Sequence, residues 1–293
     1  MAEEASELRP PRRLIGVESK RKKLKLQEQR ERLYGDRDED DDDSDDAERD
    51  ESVSYWFDLN VGNRKRLIST WGDNYEIDLF GRLGLHCYNL QKGTNLKFVR
   101  WEKHGIESTA HVRNFITLEA KDEVSDSLLS FQTMLSDASY VPGSFKWTTC
   151  ACRLRGNERV DDTWDDKAVA DFYKVAMPKW SSVEHLASEN LKYYVVQDSE
   201  LQENDWLHLF TEIAFYAKKR RVIIACFPPV EIEKVVVVTE EDTADAREKL
   251  RAKNAVFYIS YKCEDEDHKA TIRRTMDGKP EHMRLEVASD FKG

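Results

Sequence analysis

Three places in this sequence hold residue types that could carry covalent or metal chemistry. His86 and Cys87 set a base beside a nucleophile, Cys150-Ala151-Cys152 sets two thiols two residues apart, and His208 and Glu212 sit one helical turn apart. A thiol is activated only by a base within hydrogen-bond reach, and neighbours in a helix point about 100° apart, so His86 and Cys87 do not face each other. Cys150 and Cys152 are spaced for one face of a strand and lack the paired C-x-x-C units of a zinc site. No second histidine completes an H-E-x-x-H pattern around His208. Phosphate-loop and G-x-S-x-G signatures are also missing. The expectation is a non-enzyme with no catalytic residues, metal or cofactor.

Two cationic runs suggest address and partners instead. Lys20, Arg21, Lys22 and Lys23, followed by Lys25, fit a one-part nuclear localisation signal read by an import receptor. The bland reading is a solvated charged helix, in which Leu24, Leu26 and Leu33 sustain no heptad, so any coiled coil is short. Lys218, Lys219, Arg220 and Arg221 form an auxiliary basic patch at the end of a helix, where cations also favour the helix dipole by about 0.3–1 kcal/mol.

Charge locates the boundary between tail and globule. Residues 9–34 carry ten Lys and Arg against three Glu, and residues 36–51 carry twelve acids against Arg37 and Arg49. The acidic run repels itself and has nothing apolar to bury, so 1–51 reads as a disordered, charge-segregated tail. Beside a basic block it competes with phosphates for the same lysines and weakens nonspecific nucleic-acid binding. The whole chain of 293 residues has a net charge of -11 and is 40% hydrophobic. It shows no apolar run of the roughly 20 residues that cross a bilayer and no signal-peptide core, which sets the expectation of a soluble, intracellular protein. Its five cysteines are then expected to be reduced, buried thiols.

From Tyr55 onward the pattern is globular. Ile77, Phe80, Leu83, Cys87 and Leu90 recur at helical steps within 75–91, and strand-like runs follow at 95–103, 112–121, 128–137 and 144–154. The order then repeats. A helix over 204–219, capped by Asn204 or Asp205, carries Trp206, Leu209, Phe210, Ile213, Ala214 and Ala217 on one side, and strand-like runs follow at 231–239, 255–263, 270–276 and 284–288. The fold class is α+β: two lobes, 52–160 and 161–293, each a helix packed on an antiparallel sheet.

Three stretches then carry a resemblance: LGLHCYNLQKGTN at 83–95, YYVVQDSELQENDW at 193–206 and ATIRRTMDGKPEHMRLEV at 270–287. They are similar to the plant Male Sterility Five family, related to the cystatin/monellin superfamily, over roughly Trp71 to Val287. The resemblance implies that both lobes are cystatin-like and implies a role in male fertility, hence in meiosis or pollen development. It supplies no catalytic residues. The expected function is a nuclear binding or adaptor protein of reproductive development, with a chromosome-associated meiotic role. Its expected partners are a nuclear import receptor and other proteins, not a membrane; the sequence leaves self-association and direct nucleic-acid binding open. The alternative is a degenerate cystatin-type inhibitor of a cysteine protease. Gln132 to Ser136 sits in a plausible place for the inhibitory hairpin but lacks its valine and glycine, and Pro178 and Trp180 are split by Lys179.

Overall fold

The computed structural model describes residues 75–108, 111–139, 145–156, 161–178, 180, 193–220, 228–240 and 246–289. The expectations for the tail, including the signal at Lys20 to Lys25 and the acidic run, and those for Arg221 and Cys226, lie outside these residues.

Helix α1 (Tyr75–Lys92) leads into a meander of β1 (Lys97–Ser108), β2 (Val112–Asp122), β3 (Ser127–Asp137) and β4 (Phe145–Leu154). After a segment at 161–178 come β5 (Tyr193–Val195), α2 (Asp198–Glu203) and α3 (Trp206–Lys219). The chain closes with β6 (Val230–Val238), α4 (Ala246–Arg251), β7 (Ala255–Cys263), β8 (Glu266–Thr275) and β9 (Met283–Ser289). A helix followed by four antiparallel strands thus occurs twice, as the periodicity predicts.

The two sets of strands form one sheet in the order β1-β2-β3-β4-β9-β8-β7-β6-β5, antiparallel throughout. The join is β4 against β9, from Phe145 opposite Val287 to Thr149 opposite Met283. One face of this sheet carries α1 and α3, which also touch each other. A single buried cluster runs beneath both helices, from Phe80, Phe131 and Trp147 to Phe210, Phe257 and Leu285. Trp147 of β4 lies within 5.4 Å of Tyr216 on α3 and 4.6 Å of Phe80 on α1, ring centre to ring centre, so aromatic packing crosses the join.

The other face is partly covered by 161–178. Val169 and Tyr173 pack there with Val236, Val238, Val256 and Tyr258, and the Tyr173 hydroxyl donates to the Asn254 carbonyl. Next to the join a charged ladder crosses three strands, Lys146 to Glu286 to Arg273, and Arg273 also donates to the Val175 carbonyl. This segment had no periodic signature because it is held by single anchors rather than by a regular apolar face.

Two local expectations are corrected. Asp205 precedes the first turn of α3 without a side-chain cap bond; its carboxylate pairs with Lys97 at 2.6 Å, and the Asn204 amide donates to the Glu200 carbonyl. Cys150 and Cys152 do not share a face. Met134 pairs with Ala151 and Leu135 with Thr149, so Cys150 is an extra residue opposite β3. This bulge breaks the period of two. Cys150 and Ala151 both join Phe115 and Met134 in a separate buried cluster, whereas Cys152 lies beside Cys87.

Candidate functional site

The three stretches that carry the resemblance meet at the join. From the first, α1 supplies His86, Cys87 and Gln91. The second brings Trp206 at the start of α3, and the third brings Arg274, Asp277, Glu281 and His282 around the turn from β8 to β9.

Arg274 is fully buried, and its hydrogen bonds go to carbonyls rather than to a carboxylate. Its Nη2 donates to the carbonyls of Leu250 (2.8 Å) and Ala252 (2.6 Å) at the C-terminal end of α4, where helix carbonyls lack partners. The guanidinium sits 5.1 Å from the Trp206 ring centre and 5.0 Å from that of Phe257. Burial lowers its pKa to about 9, which still leaves it cationic at neutral pH. His86 lies 3.4 Å from Arg274 and stacks on Trp206. Burial, then the neighbouring cation, pushes its pKa well down, so the ring is neutral.

Cys87 turns away from His86. Gln91 donates toward its sulfur (3.7 Å) and to the His282 carbonyl (3.0 Å), while the Glu281 N–H donates to the Gln91 oxygen at 2.7 Å. Burial pushes the Cys87 thiol well up, with Cys152 and Glu281 adding to it. Burial likewise pushes Cys150 up to about 12 and Cys152 above its ordinary range. A thiolate is the nucleophile and the metal ligand, so these thiols are inert packing groups. The four described cysteines, Cys87, Cys150, Cys152 and Cys263, are free and buried, as expected.

Below them, Asp277 and His282 form a buried pair at 2.8 Å. Asp277 also accepts from the backbone N–H groups of Asp165 (3.0 Å) and Lys279 (3.1 Å), and His282 faces the Asp161 carbonyl at 2.8 Å. This knot ties 161–166 to the turn before β9. The sequence signals for it are Asp277-Gly278, which marks the turn, and the acidic run around Trp164; nothing in the periodicity pairs them.

The remaining predicted residues are scattered. His208 is exposed, whereas Glu212 forms a bidentate pair with Arg82 at 2.6 and 3.1 Å, so the two do no chemistry together. In the auxiliary patch Lys218 contacts His268 (2.9 Å), Lys219 lies 6.0 Å from the Phe215 ring centre, and Arg220 pairs with Asp137 at 2.6 Å. Gln132 to Ser136 lies within β3, hydrogen-bonded between β2 and β4, and so forms no hairpin tip. Trp180 faces the Tyr258 ring and the Lys269 cation. Among the described residues no group of three or more His, Cys, Asp or Glu could hold a metal ion, and no helix is long and apolar enough to cross a membrane.

Fold and site together define an α+β protein built from a repeated helix-and-meander unit, whose buried polar groups knit the two units together. The family model Protein MS5 matches residues 177–285, a span that holds most of this polar join. UPF0725 protein At5g63820 of Arabidopsis thaliana is 41% identical over 221 residues, 73% of this chain and 80% of that protein. UPF0725 protein At2g20620 of the same plant is 38% identical over 223 residues, 75% of this chain and 78% of that protein. The crystal structure of MS5 from Brassica napus matches with a TM-score of 0.59 at 29% identity, over 74% of this chain and 97% of that one. The chain belongs to the MS5 family, whose name ties it to male fertility in plants.

Proposed function

We propose that this chain is a non-enzymatic nuclear adaptor of plant reproductive development, serving male fertility through a chromosome-associated role in meiotic prophase. The observation that carries the non-enzymatic part is the fate of the capable side chains. His86 is held neutral by burial, Cys87 and Cys152 are held as thiols, and Arg274 is spent on helix carbonyls. Such groups fix a shape and leave its surface for partners. Each helix-and-meander unit reads as a cystatin-like repeat, with Lys20 to Lys25 serving import and Asp36 to Glu51 serving as a solvated spacer. Binding of Arg220 to Asp137 favours the helix-end role of the second basic run over a second signal.

The test is a fluorescent fusion of the full chain in meiotic tissue, with capture of its partners. The fusion is expected in the nucleus, and joint replacement of Lys20, Arg21, Lys22 and Lys23 by Ala is expected to move it out. A fusion that stays cytoplasmic would overturn the reading. So would nanomolar inhibition of a papain-like protease by residues 52–293, which is the inhibitor alternative; the mid-strand position of Gln132 to Ser136 gives that alternative no wedge.

A further inference from the structure

The Asp277–His282 knot contains one more proton than a carboxylate and a neutral imidazole supply. His282 Nδ1 faces Asp277 Oδ2 at 2.8 Å, and its Nε2 faces the Asp161 carbonyl oxygen at 2.8 Å. A carbonyl only accepts. The carboxylate already accepts the Asp165 N–H at Oδ2 and the Lys279 N–H at Oδ1. A neutral imidazole donates from one nitrogen and offers a lone pair at the other. In that form one of these two contacts sets a lone pair against an oxygen. Both side chains are fully shielded from solvent, so no water takes the missing place. The ring therefore donates from both nitrogens, as imidazolium beside carboxylate.

We propose that this proton works a clasp: 161–166 is fastened to the turn before β9 while His282 carries both its ring protons, and is released as the pH rises and one is lost. The other charged groups around the ring are committed elsewhere. In the segment itself, the Asp161 carboxylate pairs with Lys279 of the turn (2.7 Å) and Asp166 with Arg284 of β9 (2.5 Å). Arg284 also lies 4.1 Å from the Trp164 ring centre, and that ring lies parallel to the imidazole at 6.1 Å. In the turn, Glu281 accepts from the Cys152 N–H of β4; Cys150 of β4 is held as the thiol; and α1 presents only the neutral Gln91 amide, which donates to the His282 carbonyl. The far part of the segment has anchors that need no proton: Tyr173 to Asn254 and Val175 to Arg273. The device thus frees one end and keeps the other.

Lys167 lies beside the clasp and Lys174 beside the proton-free anchors, and both are exposed. Limited trypsin digestion of the full chain, read as the ratio of cuts at Lys167 to cuts at Lys174, cancels the protease's own pH dependence. The ratio is expected to rise about tenfold from about pH 6.5 to about pH 9. In Asp277→Asn the amide can donate to a neutral ring nitrogen, so the ratio is expected to stay flat. A flat ratio in the unmodified chain, or an equal rise in Asp277→Asn, overturns the proposal. Nitrogen NMR of histidine-labelled full chain, with the His282 signals assigned through His282→Asn, reads the state directly whether or not Asp277→Asn folds. Both ring nitrogens are expected protonated at about pH 7.5, where a free histidine is neutral; a neutral His282 ring there refutes the clasp.

Discussion

Arg274 is the residue on which most of the join depends, because it touches β8, the end of α4, α1 and α3 at once. Replacing it with Met keeps length and apolar contact but leaves the Leu250 and Ala252 carbonyls unpaired. A buried acceptor without a donor costs about 1–3 kcal/mol, so Arg274→Met is expected to lose about 2–4 kcal/mol in urea melts, and Arg274→Lys nearly as much, since an ammonium lacks the planar fork. A loss below about 0.5 kcal/mol would show the clasp to be idle. A second residue makes the stability depend on pH. Burial raises the Glu76 carboxyl above its ordinary 4.5, against the pull of the Tyr216 hydrogen bond and Arg220. The native state therefore holds this proton more tightly than the unfolded chain. The stability it contributes is full below about 4.5 and is lost as the pH rises through the native value. Gln keeps an oxygen for the Tyr216 hydroxyl, so Glu76→Gln should gain on the unmodified chain as the pH rises from acid to neutral. Parallel pH profiles for the two chains would contradict the assignment.

At the scale of elements, periodicity carried the prediction far. Phe80, Leu83, Phe210 and Ile213 recur at helical steps and are buried beneath the helices, and eight strand-like runs became β1–β4 and β6–β9. What periodicity missed has physical reasons. The bulge at Cys150 adds one residue without changing composition. Short β5, α2 and α4 have too few residues to show a period. The knot at Asp277 and His282 depends on side chains 116 positions from Asp161 along the chain, counting 277 minus 161. A further hidden contact is Gly84, mid-helix in α1, where a Cβ would lie 2.0 Å from Thr133 Oγ1 and 2.7 Å from Thr133 Cβ. Helix and sheet touch there because nothing intervenes. Gly84→Ala, which raises helix propensity, is nonetheless expected to destabilise by about 1–3 kcal/mol through overpacking. A gain in stability in denaturant melts would place α1 farther from β3 than described.

For the whole molecule, the governing feature is the pairing of β4 with β9, which no hairpin turn specifies and which the sequence leaves unmarked. It turns two expected lobes into one sheet with one buried cluster. The tail enters this account only through its composition: beyond position 34 it offers almost no apolar side chain to the core. A chain starting at Ser52 is therefore expected to melt within a few degrees of the full chain, and a collapse of its stability would give the tail a folding role. The central claim is that the two units stand or fall together. Its most direct test is native-state hydrogen exchange of that shortened chain across a urea series, following the amides of Ile116 and Leu118 in β2 and of Phe257 and Ile259 in β7. The account predicts that all four open through one global unfolding, with the same free energy and the same urea dependence. If the β2 amides exchange at a urea concentration where the β7 amides stay protected, or the reverse, the units unfold separately and the account is wrong.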